Sequence, residues 1–206
     1  MELHLLSFEQ LRLVFVVYIS SIVPLILIPY LYVKKIIPVW SLHIYILFFL
    51  ICALGWEIWF NYGLVNGDNV NLRRADILSA FLPININWLL NSLADSGTIC
   101  LGGLYIALKI IKDNDVLQKW NWKFFFILLS IFIVQNLFVE MFLYHDQLAV
   151  GKAISWAPLS PLGPNLNPIL FTFYDRTVSL QTQIPWIIMT PLFYGYLIFY
   201  SNKKQA

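Results

Sequence analysis

Ala53-Leu-Gly-Trp-Glu-Ile-Trp-Phe-Asn-Tyr62 closes the second hydrophobic run of the chain and sets a carboxylate, Glu57, among tryptophans inside what reads as a membrane span. An ionised carboxylate in hydrocarbon costs several kcal/mol, so such residues face a bundle interior or a wet cavity, protonated or paired. Glu57 and Asn61 lie four residues apart and share a helix face. The same pattern returns as Asn91 with Asp95 and as Asn136 with Glu140, each near one end of a later apolar run. Lipid-facing surface does not carry three such pairs, and the spacing predicts that they converge on one polar site.

Composition agrees with that setting. Of 206 residues, 60% are hydrophobic and 12% charged, and the mean hydropathy is +0.73, whereas soluble domains carry roughly a quarter charged residues. The chain reads as an integral membrane protein forming one all-α polytopic bundle, with membrane lipids as its surroundings. A net charge of +2 with scattered basic residues gives no footprint for nucleic acid. The N-terminus lacks the basic region of a secretory signal, so the first run is expected to be retained. Cys52 and Cys100 fall mid-span, where a free thiol behaves as a small hydrophobe.

Runs of roughly 20 mostly apolar residues fall at 11–33, 41–62, 89–111, 122–144 and 184–201, giving five expected spans. Parts of the loops at 63–88 and 145–183 would raise the count to six or seven if they insert. Pro24, Pro29, Pro185 and Pro191 should kink the first and last spans, and neighbours must satisfy the backbone groups that they free. Lys34, Lys35, Lys109, Lys112, Lys119, Lys123, Lys203 and Lys204 fall on the side of the C-terminus, against Arg12, Arg73, Arg74, Lys152 and Arg176 on the other. Eight basic residues against five predict an outside N-terminus and a cytoplasmic C-terminus. Glu57, Asp95 and Glu140 then share a height in the bilayer, on the order of 5 to 10 Å inside the apolar boundary.

The two long loops lie on the side of the acids. Segment 77–83 reads as an interfacial or re-entrant piece, and segment 156–168, with four prolines, reads as a rigid cap over the bundle mouth. Within the site, a partly desolvated carboxyl could donate a proton to an apolar substrate near neutral pH while asparagines orient it. The competing reading is interhelical glue, in which Asn and acid side chains bond across helices without chemistry. Glu57, Asp95 and Glu140 are the candidate catalytic residues, and Trp56, Trp88, Asn61, Asn91 and Asn136 the candidate substrate-contacting ones. Aromatic walls favour carbocations, but Trp and Tyr also form belts at membrane interfaces. Asn85 and Asn87 precede the third span and read as helix caps. The loop arginines could hold a lipid phosphate or carboxylate, or pair with loop acids. His4, His43 and His145 are not spaced as ligands, and no metal or other cofactor is implied.

Trp56-Glu57-Ile58 followed by aromatics resembles the Trp-Glu motif of the small integral membrane terpene cyclases of fungal meroterpenoid and indole-diterpene synthesis. Leu101-Gly-Gly-Leu-Tyr-Ile-Ala-Leu-Lys109 is similar to the segment after the third span of that family, and Tyr194-Gly195 with Tyr200 to its last helix. The resemblance implies seven spans and metal-free protonation of an epoxide or alkene, with Glu57 as general acid. The family's second acid lies in the last helix, near Pro191 here, so Asp95 or Glu140 would have to replace it. The function expected from the sequence is proton-initiated cyclisation or isomerisation of an isoprenoid or other hydrophobic small-molecule substrate. A proton-coupled carrier, a lipid-binding protein and an accessory subunit are the alternatives.

Overall fold

The computed structural model describes residues 6–63, 68–154 and 165–203. His4, Lys204 and most of the expected 156–168 cap lie outside the described residues. Helix α1 (Phe8–Val33) opens on a capping box in which Ser7 and Gln10 satisfy each other's backbone donors. Helices α2 (Val39–Leu54) and α3 (Trp56–Tyr62) follow, then α4 (Val70–Arg73) and α5 (Asp76–Phe81) in the first long loop. Helix α6 (Ile84–Ala94) passes through a π segment (Asp95–Leu101) into α7 (Gly102–Ile111). Helix α8 (Trp122–Phe138) ends in a second π segment (Val139–Tyr144), and α9 (Leu180–Lys203) closes the chain.

Among the described residues, four helices are long and apolar enough to cross a membrane: Phe8–Val33, Ile84–Ile111, Trp122–Tyr144 and Leu180–Lys203. The bent pair α2 and α3, 44° apart, passes the same test jointly and makes a fifth. By length and composition this is a multi-pass membrane protein. The all-α expectation needs one correction, an antiparallel hairpin of β1 (Ile169–Phe173) and β2 (Arg176–Ser179) just before α9. Its β1 residues Ile, Leu, Phe, Thr and Phe suit a strand better than a helix, and Pro168 ahead of them discourages a helical start. Segment 77–83 forms part of the short helix α5, tied to α1 by the Tyr18 hydroxyl donating to the Phe81 carbonyl (3.0 Å).

The main core lies where α2, the first π segment, α7, α8 and α9 meet, around Phe48, Cys52, Cys100, Phe132, Trp186 and Phe193. Both cysteines are free and fully buried there. A second cluster, with Leu13, Val17, Leu78, Leu82, Leu90 and Leu143, closes the end of the bundle that carries the long loops; we call this the loop end.

Proline 24 shows how α1 is held. It has no N–H to offer the Ser20 carbonyl one turn back, and the Thr98 hydroxyl donates to that carbonyl instead (2.6 Å). Beside it, Gly97 lies so close to α1 that a Cβ would meet Pro24 at 2.4 Å and Tyr45 at 2.9 Å. Gly97→Ala should therefore overpack this crossing at about 1–3 kcal/mol, read as a lower melting midpoint in detergent. Gly195→Ala, where a Cβ meets nothing within 4 Å, should leave the midpoint at or slightly above wild type.

Candidate functional site

The site begins with a helix break. At Gly55 the chain leaves α2, and a Cβ there would sit 2.6 Å from the Ile51 carbonyl oxygen, so a side chain cannot be added without displacing backbone. The break turns α3 and leaves the Ala53 carbonyl without its helical partner; the Trp88 indole Nε1 donates to it (2.8 Å). Trp88, expected to contact substrate, thus braces the break and is not among the residues that line the cavity.

The bend brings Glu57 to a cavity of about 740 Å³ bounded by α1, α3, α6, both π segments and α8. That is within the range of small-molecule pockets, roughly 300–1,000 Å³, and its surface is mainly apolar. Glu57 and Asp95 both line it, and each lies within reach of the other's charge. The Glu57 carboxyl accepts from Asn61 Nδ2 (2.9 Å), whose own Oδ1 accepts from Asn87 Nδ2 (2.7 Å). Asn91 lines the cavity beside Glu57. Asp95 accepts from Trp56 Nε1 (2.9 Å), and the Trp56 ring packs on Trp186 with centroids 5.5 Å apart.

Asn61 is fully buried behind Glu57 and orients it from there; it is not on the wall. Trp56 likewise approaches the site from behind Asp95, lining a crevice of about 20 Å³ that also touches Asn136 and Thr182, enough for about one water. Asn87 is no helix cap: Pro83 occupies that position, and the Asn87 amide joins the Asn61 chain instead.

Glu140 departs from the expected convergence. Its Oε1 accepts from the Ser179 backbone N–H (2.9 Å) and hydroxyl (3.1 Å), and its Oε2 from Gln183 Nε2 (2.8 Å) and the Thr182 hydroxyl. Only 1% exposed, it is bonded on both oxygens to residues at the start of α9, where the helix dipole also favours a negative charge. Asn136 belongs to the same knot, donating to the Thr182 carbonyl (2.7 Å) and Gln183 Oε1 (2.9 Å). Neither lines the large cavity. Four donors make Glu140 the pin between α8 and α9, the glue arrangement rather than the catalytic one.

Several wall residues lay beyond sequence reasoning. Tyr144 ends the second π segment and faces the cavity with its ring 4.9 Å from that of Phe60. Gln135 and Gln147 also line the wall. The wide turn of a π segment is common at functional sites, and both of these face the hollow, but propensity and periodicity carry no signal for one.

The loop end is roofed by charge. Asp146 is buried and meets Arg12 at 2.5 Å and Arg176 at 2.8 Å; the second contact is an ion pair without hydrogen-bond alignment. Both guanidiniums flank the Phe142 ring, at 5.2 and 5.6 Å. Backbone bonds from Ala75 to Gln147 and from Ala149 to Arg73 stitch the two long loops together. Arg73 donates to the Phe60 carbonyl (2.5 Å) and Arg74 to Asn71 Oδ1 (3.0 Å). Burial pulls both guanidiniums down to about 10, which leaves them charged at neutral pH. Neither lines the cavity; they brace the roof through these bonds, and Nε and Nη1 of each have no hydrogen-bond partner among the described residues. Among the described residues no group of three or more His, Cys, Asp or Glu could hold a metal ion, and His145 instead accepts from the Thr177 N–H (3.0 Å).

No family model, curated protein or solved structure matches the chain.

Removing the Glu140 carboxyl strands buried donors on Ser179, Thr182 and Gln183, each worth roughly 1–3 kcal/mol when left unmade. Glu140→Ala should therefore lower stability by at least about 2 kcal/mol, seen as a large drop in melting midpoint. Asp95→Asn retains an acceptor for Trp56 and should melt close to wild type. Equal midpoints for the two variants would contradict these separate roles.

Proposed function

We propose that the chain is a five-span membrane enzyme, N-terminus outside and C-terminus cytoplasmic, that works by acid–base catalysis on a lipid-soluble substrate. The observation that carries this reading is the presence of Glu57 and Asp95 together on the wall of one large, mainly apolar cavity. An accessory subunit has no need of such a hollow, and a carrier needs a polar path onward to Lys109 and Lys112. In the inner half of the cavity the hydroxyls of Thr98 and Ser130 are already bonded to backbone carbonyls, which does not favour such a path.

The resemblance to membrane terpene cyclases supplies the reaction class, proton-initiated cyclisation or isomerisation of an isoprenoid. Two carboxylates in one dry hollow repel, and the pair is relieved by holding a proton between them. Glu57 then gives the proton to an alkene or epoxide, forming the new C–H or O–H bond and a carbocation. Asp95, now the base, takes a proton from the carbon next to the cation as the product double bond forms. The proton is returned to the pair, so the reaction needs neither oxidant nor metal. Asn61 keeps the Glu57 carboxyl directed, and the apolar walls exclude water that would quench the cation.

The reading is tested by comparing lipid extracts of cells expressing wild type, Glu57→Gln and Asp95→Asn by mass spectrometry. A product present with wild type should fall by about 10²-fold or more in either variant, while both proteins still assemble in the membrane. Extracts that do not differ would remove the enzyme reading.

A further inference from the structure

The cavity is a slot with two unlike ends. Its wall follows α8 and the second π segment from Ser130 to Tyr144, a length on the order of 20 Å at about 1.5 Å per residue. Polar groups gather in the half nearer the loop end, where Glu57, Asn91, Asp95, Tyr144 and Gln147 face inwards. In the other half Ser130 donates to the Phe126 carbonyl (2.7 Å) and Thr98 to the Ser20 carbonyl. Their hydroxyl protons are thereby taken up, as is an amide proton of Gln135, which donates to the Phe132 carbonyl (3.0 Å), and Ile99, Ile131 and Val134 supply an apolar lining.

The slot also opens sideways. Val134 and Phe138 line it and yet are 64% and 52% exposed, so the same side chains meet both the cavity and the surface that faces lipid. Helix α1 packs chiefly on α6, and α8 on α9 and α7. The gap between α1 and α8 is bridged at the loop end by Arg12 and Asp146. Below that bridge the lining from α1 and α8 is mostly apolar, with Val17, Ile131, Val134 and Phe138. Charge then selects what can lie there: two carboxyls line the slot and no Lys, Arg or His does among the described residues. An anionic headgroup would meet like charge with no counter-ion, whereas a hydroxyl can donate to a carboxylate and accept from an amide.

We infer that the slot binds a single-chain lipid alcohol, admitted from the bilayer between α1 and α8, with its hydroxyl in the polar half that holds Glu57 and Asp95 and its chain along α8. The inference deepens the acid–base reading by naming its substrate class and route, and it rests on that reading for its catalytic meaning only. The polar half fixes the head, and the apolar half with its lateral opening accommodates the tail. The matched carboxylate is rejected by charge.

The test uses the full chain in phosphatidylcholine nanodiscs near neutral pH, with two photoreactive probes of about sixteen carbons, enough to reach past mid-bilayer. One is a primary alcohol and the other the matched carboxylate, each with a mid-chain diazirine. The alcohol should label α8 between Ser130 and Phe138 and the facing turn of α1, about tenfold more than the carboxylate does. A Glu57→Gln, Asp95→Asn double variant should bring carboxylate labelling up towards that of the alcohol, a response that simple partitioning into a greasy groove would not give. Ala94→Trp, which fills the slot, should abolish labelling by the alcohol at those positions. Equal labelling by the two probes in wild type, or labelling that avoids α8 and α1, would overturn the inference. Selective labelling alongside unchanged lipid extracts in the Glu57→Gln strain would remove the catalytic reading alone and leave the binding site in place.

Discussion

A carboxyl that has left water must find donors or keep a hollow open, because hydrocarbon offers neither. The three intramembrane acids of this chain meet that constraint in different ways. Glu140 is saturated by four donors from the start of α9. Among the described residues the Glu57 carboxyl accepts one bond, from Asn61, and Asp95 one, from Trp56. The acid with four donors is the one that does not reach the cavity, and the two with one donor each both line it. A carboxylate with both oxygens bonded has little capacity left for a substrate, while Asp95 keeps an oxygen available.

That division is produced by breaks in helical regularity. Gly55 ends α2 early and swings α3 by 44°, and without the swing Glu57 would continue along the axis of α2. The bend exposes one backbone carbonyl, and Trp88 answers it. Pro24 exposes another on α1, and Thr98 answers that. Each irregularity is matched by a donor from the third span, so the helix that carries Asp95 also repairs its two neighbours. Unpaired carbonyls facing lipid would cost several kcal/mol apiece, which ties the position of Asp95 to the stability of the bundle.

Much of the bundle was legible in the sequence. The expected spans at 11–33, 122–144 and 184–201 sit inside or on the observed helices, because about 20 apolar residues have few other conformations open to them in a membrane. The pairing of Glu57 with Asn61 was legible too, since it is local and follows from four-residue spacing. What α8 faces was not. Asn136 and Glu140 continue the buried stripe of Phe124, Leu128 and Phe132, whereas Gln135 and Val139, one residue earlier, line the cavity. A rotation of about 100° separates the two rows, and a helix with apolar residues on all sides has no amphipathic signal to fix that angle. The hairpin before α9, the π segments and the Arg12–Asp146–Arg176 cluster depend on contacts between distant segments, which spacing does not report.

The same comparison explains why the asparagine and acid repeats look alike in the chain and diverge in space. At Asn136 the amide bridges to Gln183, which in turn bonds Glu140, so the pair closes on itself through α9. At Asn91 and Asp95 no described residue of the last helix supplies such a bridge: Asp95 accepts from Trp56, and Asn91 lines the cavity. The knot fastens α8 to α9 on one side of the bundle, while α1 packs chiefly on α6 and is tied to the loop after α8 by the Arg12–Asp146 ion pair. The saturated acid therefore has a part in the hollow that it does not touch: by anchoring α8 against the last helix, it keeps the fourth span from collapsing onto the first, and the two unsaturated acids retain the space between them.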